Sequence, residues 1–467
     1  MATITTEEII KATGGELLSE NTGSFKGASI DSRTISEGEI FFAIKGPRFD
    51  GHNFLEDAFS KAGGAVIDTR GRQLPEGKVV IYVKDTLKAL QDLAHFMRMR
   101  RDIPVIAITG SNGKTTTREM AYTILSKRFK VLKNEGNLNN HIGLPLSLTR
   151  LGPDDEAAVL ELGMNTRGEI RMLCDIAAPS HGIVTNIGSA HIGNLGGVDV
   201  IRDEKLEILK GLQVAVLNAD DDFLMEGYNT AAERGGTDGE LITFSIRNDS
   251  SVKAENVTAT DLGSSFTLKL KSGESAVITL NTNGLFNVYN ALAASAVCIS
   301  LGMTVEEIES ALKDYRAFPM RFEVMKVDQI TLINDSYNAN PSSAVESVRE
   351  LVRMGRGART VAVMGDMLEM GAFSEKAHRS LGKTVIDMGV DVFVAVGEMM
   401  ALAAEEAGKP RDRGAKVRHA TYEFRTTEEA GRNIAGIIKA GDVVLVKGSR
   451  SMSMEKIIEE MTGGNAI

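Results

Sequence analysis

The stretch Ile103–Thr117 reads IPVIAITGSNGKTTT and predicts a strand, a glycine-rich loop and the start of a helix. The apolar run Val105–Thr109 supplies the strand. In the loop that follows, glycines allow backbone N–H groups to close around phosphate oxygens, and the helix N-terminus adds the positive end of its dipole. The usual phosphate-loop pattern has a further glycine where this chain has Ala107, so the loop has the shorter GxxGKT form.

The same loop brings a lysine and a threonine hydroxyl to one place. Lys114 can reach the terminal phosphates of a nucleotide, and the Thr115 hydroxyl can ligate Mg²⁺. A glycine turn followed by a solvated lysine is the alternative interpretation. The strand before the loop and the helix after it count against that alternative. The stretch therefore predicts a nucleotide-phosphate site.

Composition and charge exclude several classes of protein. The chain has 467 residues, which exceeds one ordinary core, so about two to four domains are expected. With 43% hydrophobic and 25% charged residues, it contains no apolar run long enough to span a membrane. A net charge of −10 argues against a nucleic-acid partner. No secretory signal pattern is present, and two cysteines, Cys174 and Cys298, fit a reducing cytoplasm.

The order of predicted strands and helices divides the chain into three parts, 1–102, 103–316 and 317–467. In the first part, short strands alternate with the helices Thr6–Thr13 and Thr86–Met99. The predicted strands of the second part are Val105–Thr109, Ala157–Leu162, Gly182–Asn186 and Val214–Leu217, followed by antiparallel hairpins over Ser250–Leu280 and a helix over Gly284–Leu301. Those of the third part are Thr331–Asp335, Thr360–Met364, Val392–Val396 and Val443–Val446, which alternate with helices at Ser343–Val352, Lys376–Met388 and Thr427–Lys439. We therefore predict an α/β fold with a central phosphate-loop domain on a parallel sheet and a C-terminal, doubly wound, Rossmann-like domain.

Three polar residues follow strands or lie in a helix near the predicted phosphate site. Glu161 ends a buried strand and is placed to hold Mg²⁺, with an ordinary surface acid as the alternative. His191 lies among glycines and small residues at the same sheet edge, where a ligand role and a surface role both stay open. Lys205, in IRDEKLEIL, is by itself best interpreted as an exposed lysine paired with a nearby acid.

Further polar groups cluster after other strands. One polar cluster consists of Asn137, Asn139, Asn140 and His141, which could contact substrate or could cap the helix Ile142–Leu148. In the third part, Asp335–Pro341 and Val363–Gly371 each follow a strand and together predict a binding edge. Turn chemistry alone would explain either segment, but it explains both on one sheet less readily.

Several motifs in order resemble those of the Mur ligases, which are ATP-dependent, amide-bond-forming enzymes of peptidoglycan synthesis. They are TGSNGKTTT, ELGMN, NIGSAHIG, EKLEI, GLFNVYNALAA and NDSYNANPSS, and the resemblance spans nearly the whole chain. YNANPSS, GDMLEMG and the segment Asp31–Arg33 are similar to those of the members that join D-alanyl-D-alanine to UDP-N-acetylmuramoyl-tripeptide. The resemblance implies that activity, through an acyl phosphate. It also implies that the N-terminal domain binds the UDP end of the substrate and the C-terminal domain selects the dipeptide.

The resemblance implies a role for each matching residue. Those that would bind ATP are Gly110, Ser111, Asn112, Gly113, Lys114, Thr115, Thr116, Asn290, Arg321 and Asp335. Those that would serve two Mg²⁺ ions are Thr115, Glu161, His191 and a carbamylated Lys205. Those that would bind the other substrates are Ser32, Arg33, Asn137, Asn140, Asn338 and Asn340. Lys114, Lys205, His191 and Arg321 would be catalytic. Carbamylation is physically sensible because Mg²⁺ would repel a bare ammonium.

Two positions depart from the family pattern, and other protein classes fit less well. Phe286 replaces the histidine of GxHNxxN, and Met320 replaces the glycine before Arg321, which we treat as tolerated variation because Asn287 and Asn290 are retained.

The alternative protein classes leave parts of the sequence unexplained. Membership of the folylpolyglutamate synthases would not explain the segment YNANPSS, and the Mur ligase that adds the third residue should carry Asp-x-Pro-Arg, which is absent. A GTPase switch would need Asn-Lys-x-Asp, also absent. We expect a cytoplasmic, monomeric ligase.

Overall fold

The computed structural model describes residues 3–71, 75–237, 239–260, 263–409 and 419–463. Within them the chain forms sheets of five, nine and six strands and a separate two-stranded ladder. The three larger sheets follow one another along the chain, which confirms an α/β fold of three domains. The boundaries 1–102, 103–316 and 317–467 stay a prediction. Among the described residues no helix is both long and apolar enough to cross a membrane.

The strands and helices alternate along most of the chain. In order, the strands are β1 (Ile4–Thr5), β2 (Glu16–Leu17), β3 (Ser24–Phe25), β4 (Ala28–Ser29), β5 (Ile40–Phe42), β6 (Gly64–Ile67), β7 (Val79–Tyr82), β8 (Val105–Thr109), β9 (Val131–Lys133), β10 (Ala157–Glu161), β11 (His181–Val184), β12 (Val214–Asn218), β13 (Glu240–Ser245), β14 (Val252–Ala259), β15 (Ser264–Leu270), β16 (Ser275–Leu280), β17 (Glu323–Val327), β18 (Ile330–Asp335), β19 (Thr360–Gly365), β20 (Val392–Val396), β21 (Ala420–Phe424) and β22 (Val443–Lys447). The helices are α1 (Thr6–Thr13), α2 (Leu55–Phe59), α3 (Thr86–Met99), α4 (Lys114–Leu125), α5 (Gly143–Leu148), α6 (Glu169–Ala177), α7 (Ile192–Leu195), α8 (Val198–Leu206), α9 (Asp222–Glu233), α10 (Leu285–Ser300), α11 (Val305–Asp314), α12 (Pro341–Met354), α13 (Ser374–Asp387), α14 (Glu398–Ala407), α15 (Thr427–Ile434) and α16 (Glu455–Met461).

The first sheet has the strand order β2-β7-β6-β5-β4, and only its β2–β7 pair is antiparallel. Helix α3 covers one face with an apolar stripe that includes Leu90 and Leu93, both fully buried. Asp85 begins this helix because its side chain accepts the N–H of Lys88 at 2.9 Å. The helix therefore starts and ends at the residues that the sequence predicts.

The second sheet, β16-β15-β14-β13-β12-β11-β8-β10-β9, places the phosphate loop near its centre. Strands β8 to β13 run parallel to their neighbours, and β14 runs parallel to β13. The pairs β14–β15 and β15–β16 are antiparallel, which confirms the hairpins predicted over Ser250–Leu280. The central strand β8 packs Ile106 and Ile108 against α4 and α10 on one face. Because parallel strands end at one edge, the segments after β8, β10 and β11 meet there.

The third sheet has the order β17-β18-β22-β19-β20-β21, and only β17–β18 is antiparallel. Its four predicted strands are present, while β17 and β21 were not predicted. Helix α15 ends at Ile434 rather than at Lys439, because Gly436 follows and the chain closes into a tight turn there. Apolar residues of this domain, among them Ile333, pack in one continuous core with residues of the second domain such as Leu195. The two domains are therefore docked.

Candidate active site

The phosphate loop follows β8 and depends on two glycines. Gly110 has φ 148°, and a Cβ there would lie 1.8 Å from Thr185 Oγ1. Gly113 has φ 83°, and its Cβ would lie 2.1 Å from Asn290 Oδ1. No other residue type fits either position, so the loop lies directly against its neighbours. Helix α4 begins immediately afterwards at Lys114, with its N-terminus at the loop.

Thr115 and Glu161 form the oxygen-rich part of the site. The Thr115 hydroxyl donates to Glu161 Oε2 at 2.8 Å, and Asn139 Nδ2 donates to Oε1 at 2.7 Å. Asn134 holds the Glu161 backbone, accepting its N–H at 2.9 Å and donating to its carbonyl at 3.0 Å. Glu161 is only 3% exposed, and the guanidinium of the fully buried Arg118 lies 3.7 Å from it. The surface-acid interpretation of Glu161 is therefore wrong.

Two cationic side chains lie beside this oxygen pair. Lys114 Nζ donates to the Gly110 carbonyl at 2.8 Å. Burial is the main cause that lowers the Lys114 pKa; nearby Arg321 also lowers it, while Glu161 raises it. Arg321 reaches the loop from the third domain, donating from Nη2 to Thr115 Oγ1 at 3.1 Å. Its guanidinium stacks 3.8 Å from the centre of the Tyr337 ring. The second and third domains thus both supply positive charge here.

Lys205 is not the exposed lysine that its sequence neighbourhood indicates. It lies in the last turn of α8, is 2% exposed, and makes no hydrogen bond or ion pair with any residue in the described part of the chain. Burial lowers its pKa well below the ordinary value, and the charge of Lys114 lowers it further. The side chain is thereby biased toward the neutral amine.

His191 lies where the second and third domains meet. It has a left-handed backbone (φ 62°) just before α7, and its Nδ1 lies 2.8 Å from Glu369 Oε2. The hydrogen bond from His191 lowers the pKa of the Glu369 carboxyl. Glu369 belongs to the predicted binding edge Val363–Gly371, but no sequence pattern pairs it with His191.

A row of amides supports the loop from α10. Thr117 Oγ1 donates to Asn290 Oδ1 at 3.3 Å, and Asn290 Nδ2 donates to Asn287 Oδ1 at 3.2 Å. Asn287 in turn donates to the carbonyl of Asn283 at 2.7 Å. Asn290 therefore lies beneath the phosphate loop, consistent with a place near the nucleotide.

The two departures from the family pattern have visible structural settings. Phe286 packs edge-to-face on Phe322 of the third domain, with ring centres 5.1 Å apart. An apolar ring at this position therefore gains a partner across the domain boundary. Met320 has φ 60°, a conformation that glycine adopts at least cost, which explains the glycine of the family pattern.

Asp335 and Asn338 are engaged by their own domain. The Asp335 carboxylate accepts from Phe322 N at 3.1 Å, Ser347 Oγ at 2.6 Å and Lys447 Nζ at 2.6 Å. Lys447 also donates to the Asn338 carbonyl at 3.0 Å. These bonds fix the segment that carries Arg321 to the third sheet. The contact of Asp335 with ATP stays a prediction.

Asn340 joins the third domain to the phosphate loop. Its Oδ1 accepts the N–H of Ser343 at 2.9 Å and caps α12, while its Nδ2 donates to Asn112 Oδ1 at 2.8 Å. Asn112 Nδ2 donates in turn to Ser342 Oγ at 2.9 Å. Ser111 is held to the same edge through Gly188, with Oγ donating to its carbonyl at 3.0 Å.

The remaining predicted substrate residues make no hydrogen bond to the phosphate loop or to Glu161 among the residues that the structure describes. Arg33 is bound to both carboxylate oxygens of Asp31, at 2.9 and 2.6 Å, and its side chain is 85% exposed. The hydrogen bond from Arg33 is the main cause that lowers the Asp31 pKa to about 2. Ser32 is half-buried in the same turn, and Asn137 is exposed. Asn140 lies just before α5, whose N-cap residue is Ile142, and its Oδ1 accepts from Ile142 N at 3.1 Å and Gly143 N at 2.9 Å.

The donor set at the loop suits Mg²⁺. A hydroxyl and a carboxylate lie together, and Mg²⁺ commonly takes only one or two protein oxygens and fills its shell with water and substrate phosphates. In the described part of the chain no group of three or more His, Cys, Asp or Glu residues could enclose a metal. The oxygen pair of Thr115 and Glu161 therefore fits a cation shared with nucleotide phosphates.

Comparisons with known proteins agree on one family. The model described as "Mur ligase family, catalytic domain" matches residues 24–98, "Mur ligase middle domain" matches 108–298, and "Mur ligase, glutamate ligase domain" matches 320–450. The UDP-N-acetylmuramoyl-tripeptide–D-alanyl-D-alanine ligase of Bacillus subtilis is 34% identical over 459 residues, which are 97% of this chain and 96% of that protein.

Solved structures agree with this match. MurF from Acinetobacter baumannii is 31% identical with a TM-score of 0.89, covering 99% of each chain. MurF ligase from Thermotoga maritima, solved in complex with ADP, is 26% identical with a TM-score of 0.78, covering 94% of this chain and 97% of that one. Since the match extends over all three domains and nearly the whole length, this chain belongs to the Mur ligase family.

Proposed function

We propose that this chain is an ATP-dependent ligase that joins D-alanyl-D-alanine to UDP-N-acetylmuramoyl-tripeptide. The observation that carries the proposal is the hydrogen-bonded row Arg321–Thr115–Glu161 at the phosphate loop, which unites groups of two domains. Support comes from the curated relative of that name, which matches the chain over nearly its full length, and from the ADP bound to a MurF ligase of the same fold. The product would be the pentapeptide precursor of peptidoglycan.

The chain's side chains suit phosphoryl transfer to a peptide carboxylate. A carboxylate is a poor acyl donor because oxide is a poor leaving group, whereas its acyl phosphate is a good one. Lys114 and Arg321 would neutralise the negative charge that spreads over the transferring phosphoryl group. The dipeptide amine would then attack the acyl carbon, and inorganic phosphate would leave. Docking of the domains over the site would exclude the water that otherwise hydrolyses the acyl phosphate.

Thr115, Glu161, His191 and Lys205 are the residues that would hold Mg²⁺. When bound, Mg²⁺ would neutralise phosphate charge and help orient the nucleotide. Thr115 and Glu161 offer oxygens that are already adjacent. His191 would offer an imidazole nitrogen.

Lys205 would contribute only after carbamylation. Burial lowers the pKa of the Lys205 amine and so favours its neutral form, and only the neutral amine attacks CO₂. The Nζ–C bond would form as one amine proton is released, which leaves a carbamate anion. That anion would face the positive charge of Lys114 instead of adding a second cation beside it. Burial without a partner thus favours the modified side chain.

The domains would divide the remaining work. Ser32 and Arg33 would hold the UDP end of the substrate in the first domain, with Asn137 and Asn140 further along its path. Asn338 and Asn340 would lie on the edge of the third domain that meets the dipeptide. We propose a cytoplasmic monomer with no nucleic-acid partner, consistent with the net charge of −10.

A turnover assay tests the proposal directly. Purified chain is given ATP, Mg²⁺ and UDP-N-acetylmuramoyl-tripeptide, with and without D-alanyl-D-alanine, and ADP release is followed together with product mass. Ligation predicts ADP release that depends on the dipeptide and a product of the summed mass less one water. ADP release at a rate that does not depend on the dipeptide would instead support a nucleotide-switched binding protein. Parallel reactions with tripeptides ending in diaminopimelate or lysine identify the substrate.

A further inference from the structure

One carboxylate of the third domain contacts the histidine that the second domain offers as a metal ligand. Glu369 Oε2 lies 2.8 Å from His191 Nδ1. The backbones of the same two loops are also joined, because Gly193 N donates to the Glu369 carbonyl at 3.1 Å. A Cβ on Gly193 would lie 2.5 Å from that carbonyl oxygen, so the loops are in close contact. The two loops are therefore in direct contact through their backbones as well as through this pair of side chains.

The backbone at this junction is strained on both sides. His191 and Glu369 each have φ 62°, in the left-handed region that residues other than glycine rarely adopt. Such conformations cost on the order of 1–3 kcal/mol each and persist where the surroundings enforce them. The surroundings of the two loops therefore fix the backbone from which both side chains project.

The chemistry of the pair follows from which imidazole nitrogen is engaged. A carboxylate at Nδ1 fixes the proton there, which leaves the Nε2 lone pair available to a metal ion and makes it more basic. Nε2 of His191 has no hydrogen-bond partner among the residues that the structure describes. By contrast, an imidazole without a partner at Nδ1 populates both tautomers and rotates freely.

We propose that Glu369 is a positioning residue that holds His191 in the tautomer able to bind Mg²⁺, so that this ligand is complete only when the third domain is docked. The inference rests on the proposed function, because it presumes that His191 serves the cation bound with the nucleotide. Docking and metal binding then assist each other to the same extent, as linkage requires. Through this pair, the domain that would select the dipeptide also completes the metal site.

The experiment compares Glu369→Ala and Glu369→Gln with Glu375→Ala in the full-length chain. Glu375 is a suitable control because it is an exposed acid of the same domain and, among the residues that the structure describes, pairs only with Arg379 on α13. The first readout is the imidazole ¹⁵N spectrum of histidine-labelled protein at pH 8 with ADP, in which His191→Asn assigns the resonance. The second is the affinity for Mn²⁺ in the presence of ADP, measured by electron paramagnetic resonance.

We expect the wild-type chain and Glu375→Ala to show His191 protonated at Nδ1. Glu369→Ala should shift the ring toward the Nε2-protonated tautomer and weaken Mn²⁺ binding by about 10–100-fold. Glu369→Gln keeps an acceptor oxygen and should fall between them. In a His191→Ala background, Glu369→Ala should have no further effect on Mn²⁺ affinity.

Either of two results would overturn the inference. One is an unchanged tautomer and Mn²⁺ affinity in Glu369→Ala. The other is a further loss of Mn²⁺ affinity in the His191→Ala background, which would make Glu369 a ligand in its own right. Neither readout requires turnover, so a wild-type chain that fails to ligate the dipeptide would count against the proposed function alone.

Discussion

Asn340 Nδ2 donates to Asn112 Oδ1 at 2.8 Å, although the two residues lie 228 positions apart and belong to different domains. Asn112 is part of the phosphate loop, and Asn340 is the residue that caps α12. The loop that would hold ATP is thereby tied to the segment that would meet the dipeptide. Arg321 makes a second tie, from the third domain to Thr115.

Asn112→Ala should slow ligation without destabilising α12. The change removes the bonds to Asn340 and Ser342 but leaves the cap of α12 intact. Asn340→Ala should slow ligation as well and also lower the free energy of unfolding by about 1 kcal/mol, because a helix cap is lost. Steady-state kinetics and thermal unfolding of the two variants separate these effects.

The double variant Asn112→Ala/Asn340→Ala provides the control. If the two residues act through their mutual hydrogen bond, its kcat/KM should fall less than the product of the single effects. Fully multiplicative effects on kcat/KM would contradict the coupling.

Lys205→Met should abolish ligation and at the same time stabilise the fold. The native chain buries an amine that lacks a partner in the described part of the chain, and an apolar side chain of similar length removes that cost. We expect a gain of about 1–3 kcal/mol in the free energy of unfolding, measured in CO₂-free buffer. Adding bicarbonate should stabilise the wild-type chain more than the variant, since the variant lacks the Lys205 amine.

The advantage of Lys205→Met should shrink as pH rises. The pKa of Lys205 is depressed in the folded chain, so the unfolded chain binds more protons between that depressed value and the ordinary 10.5. Folding therefore releases a proton in this window, and the stability of the wild-type chain rises with pH relative to the variant. Denaturant titrations at several pH values up to 10 measure the difference, and a pH-independent difference would show that Lys205 keeps its proton in the folded chain.

Lys114→Ala should nearly abolish turnover, because a positive charge is lost where transition-state charge accumulates. The expected loss in kcat is on the order of 10²-fold or more. Lys127→Ala is a matched control, since that lysine pairs with Asp314 at the surface. Near-normal turnover of Lys114→Ala at saturating ATP would mean that another group neutralises the phosphates.

Local signals account for the parts of the fold that the sequence predicts well. The side chain of Asp85 caps α3, which begins at the next residue, and the side chain of Asn340 caps α12, which begins at Pro341. Fully buried strands such as β8 read as continuous apolar runs. Strand β21 was missed because its ATYEF sequence lies at a sheet edge and is largely unburied. A strand with few core contacts does not need the apolar alternation by which strands are recognised in a sequence.

The site residues could be predicted where they belong to one sequence motif, and they could not be predicted where they are brought together from distant segments. The phosphate loop and Glu161 follow from a strand end and its neighbours. The partners of Asn139 and Glu369, which are Glu161 and His191, are identified only by contacts between residues 22 and 178 positions apart. The burial of Lys205 was also hidden, because its helix is rich in charged residues that predict an exposed face.

Arg33→Ala should raise the KM for UDP-N-acetylmuramoyl-tripeptide and leave the KM for D-alanyl-D-alanine unchanged. The Arg33 side chain is 85% exposed and its guanidinium is bound by both oxygens of Asp31, a surface ion pair of the kind that contributes little to stability. Exchange of that carboxylate for a diphosphate is therefore inexpensive, and the loss of two charge-assisted bonds should weaken substrate binding by roughly 1–3 kcal/mol. Arg33→Lys keeps the charge without the fork and should show an intermediate KM. A change confined to the KM of the dipeptide would reverse the assignment of the first and third domains.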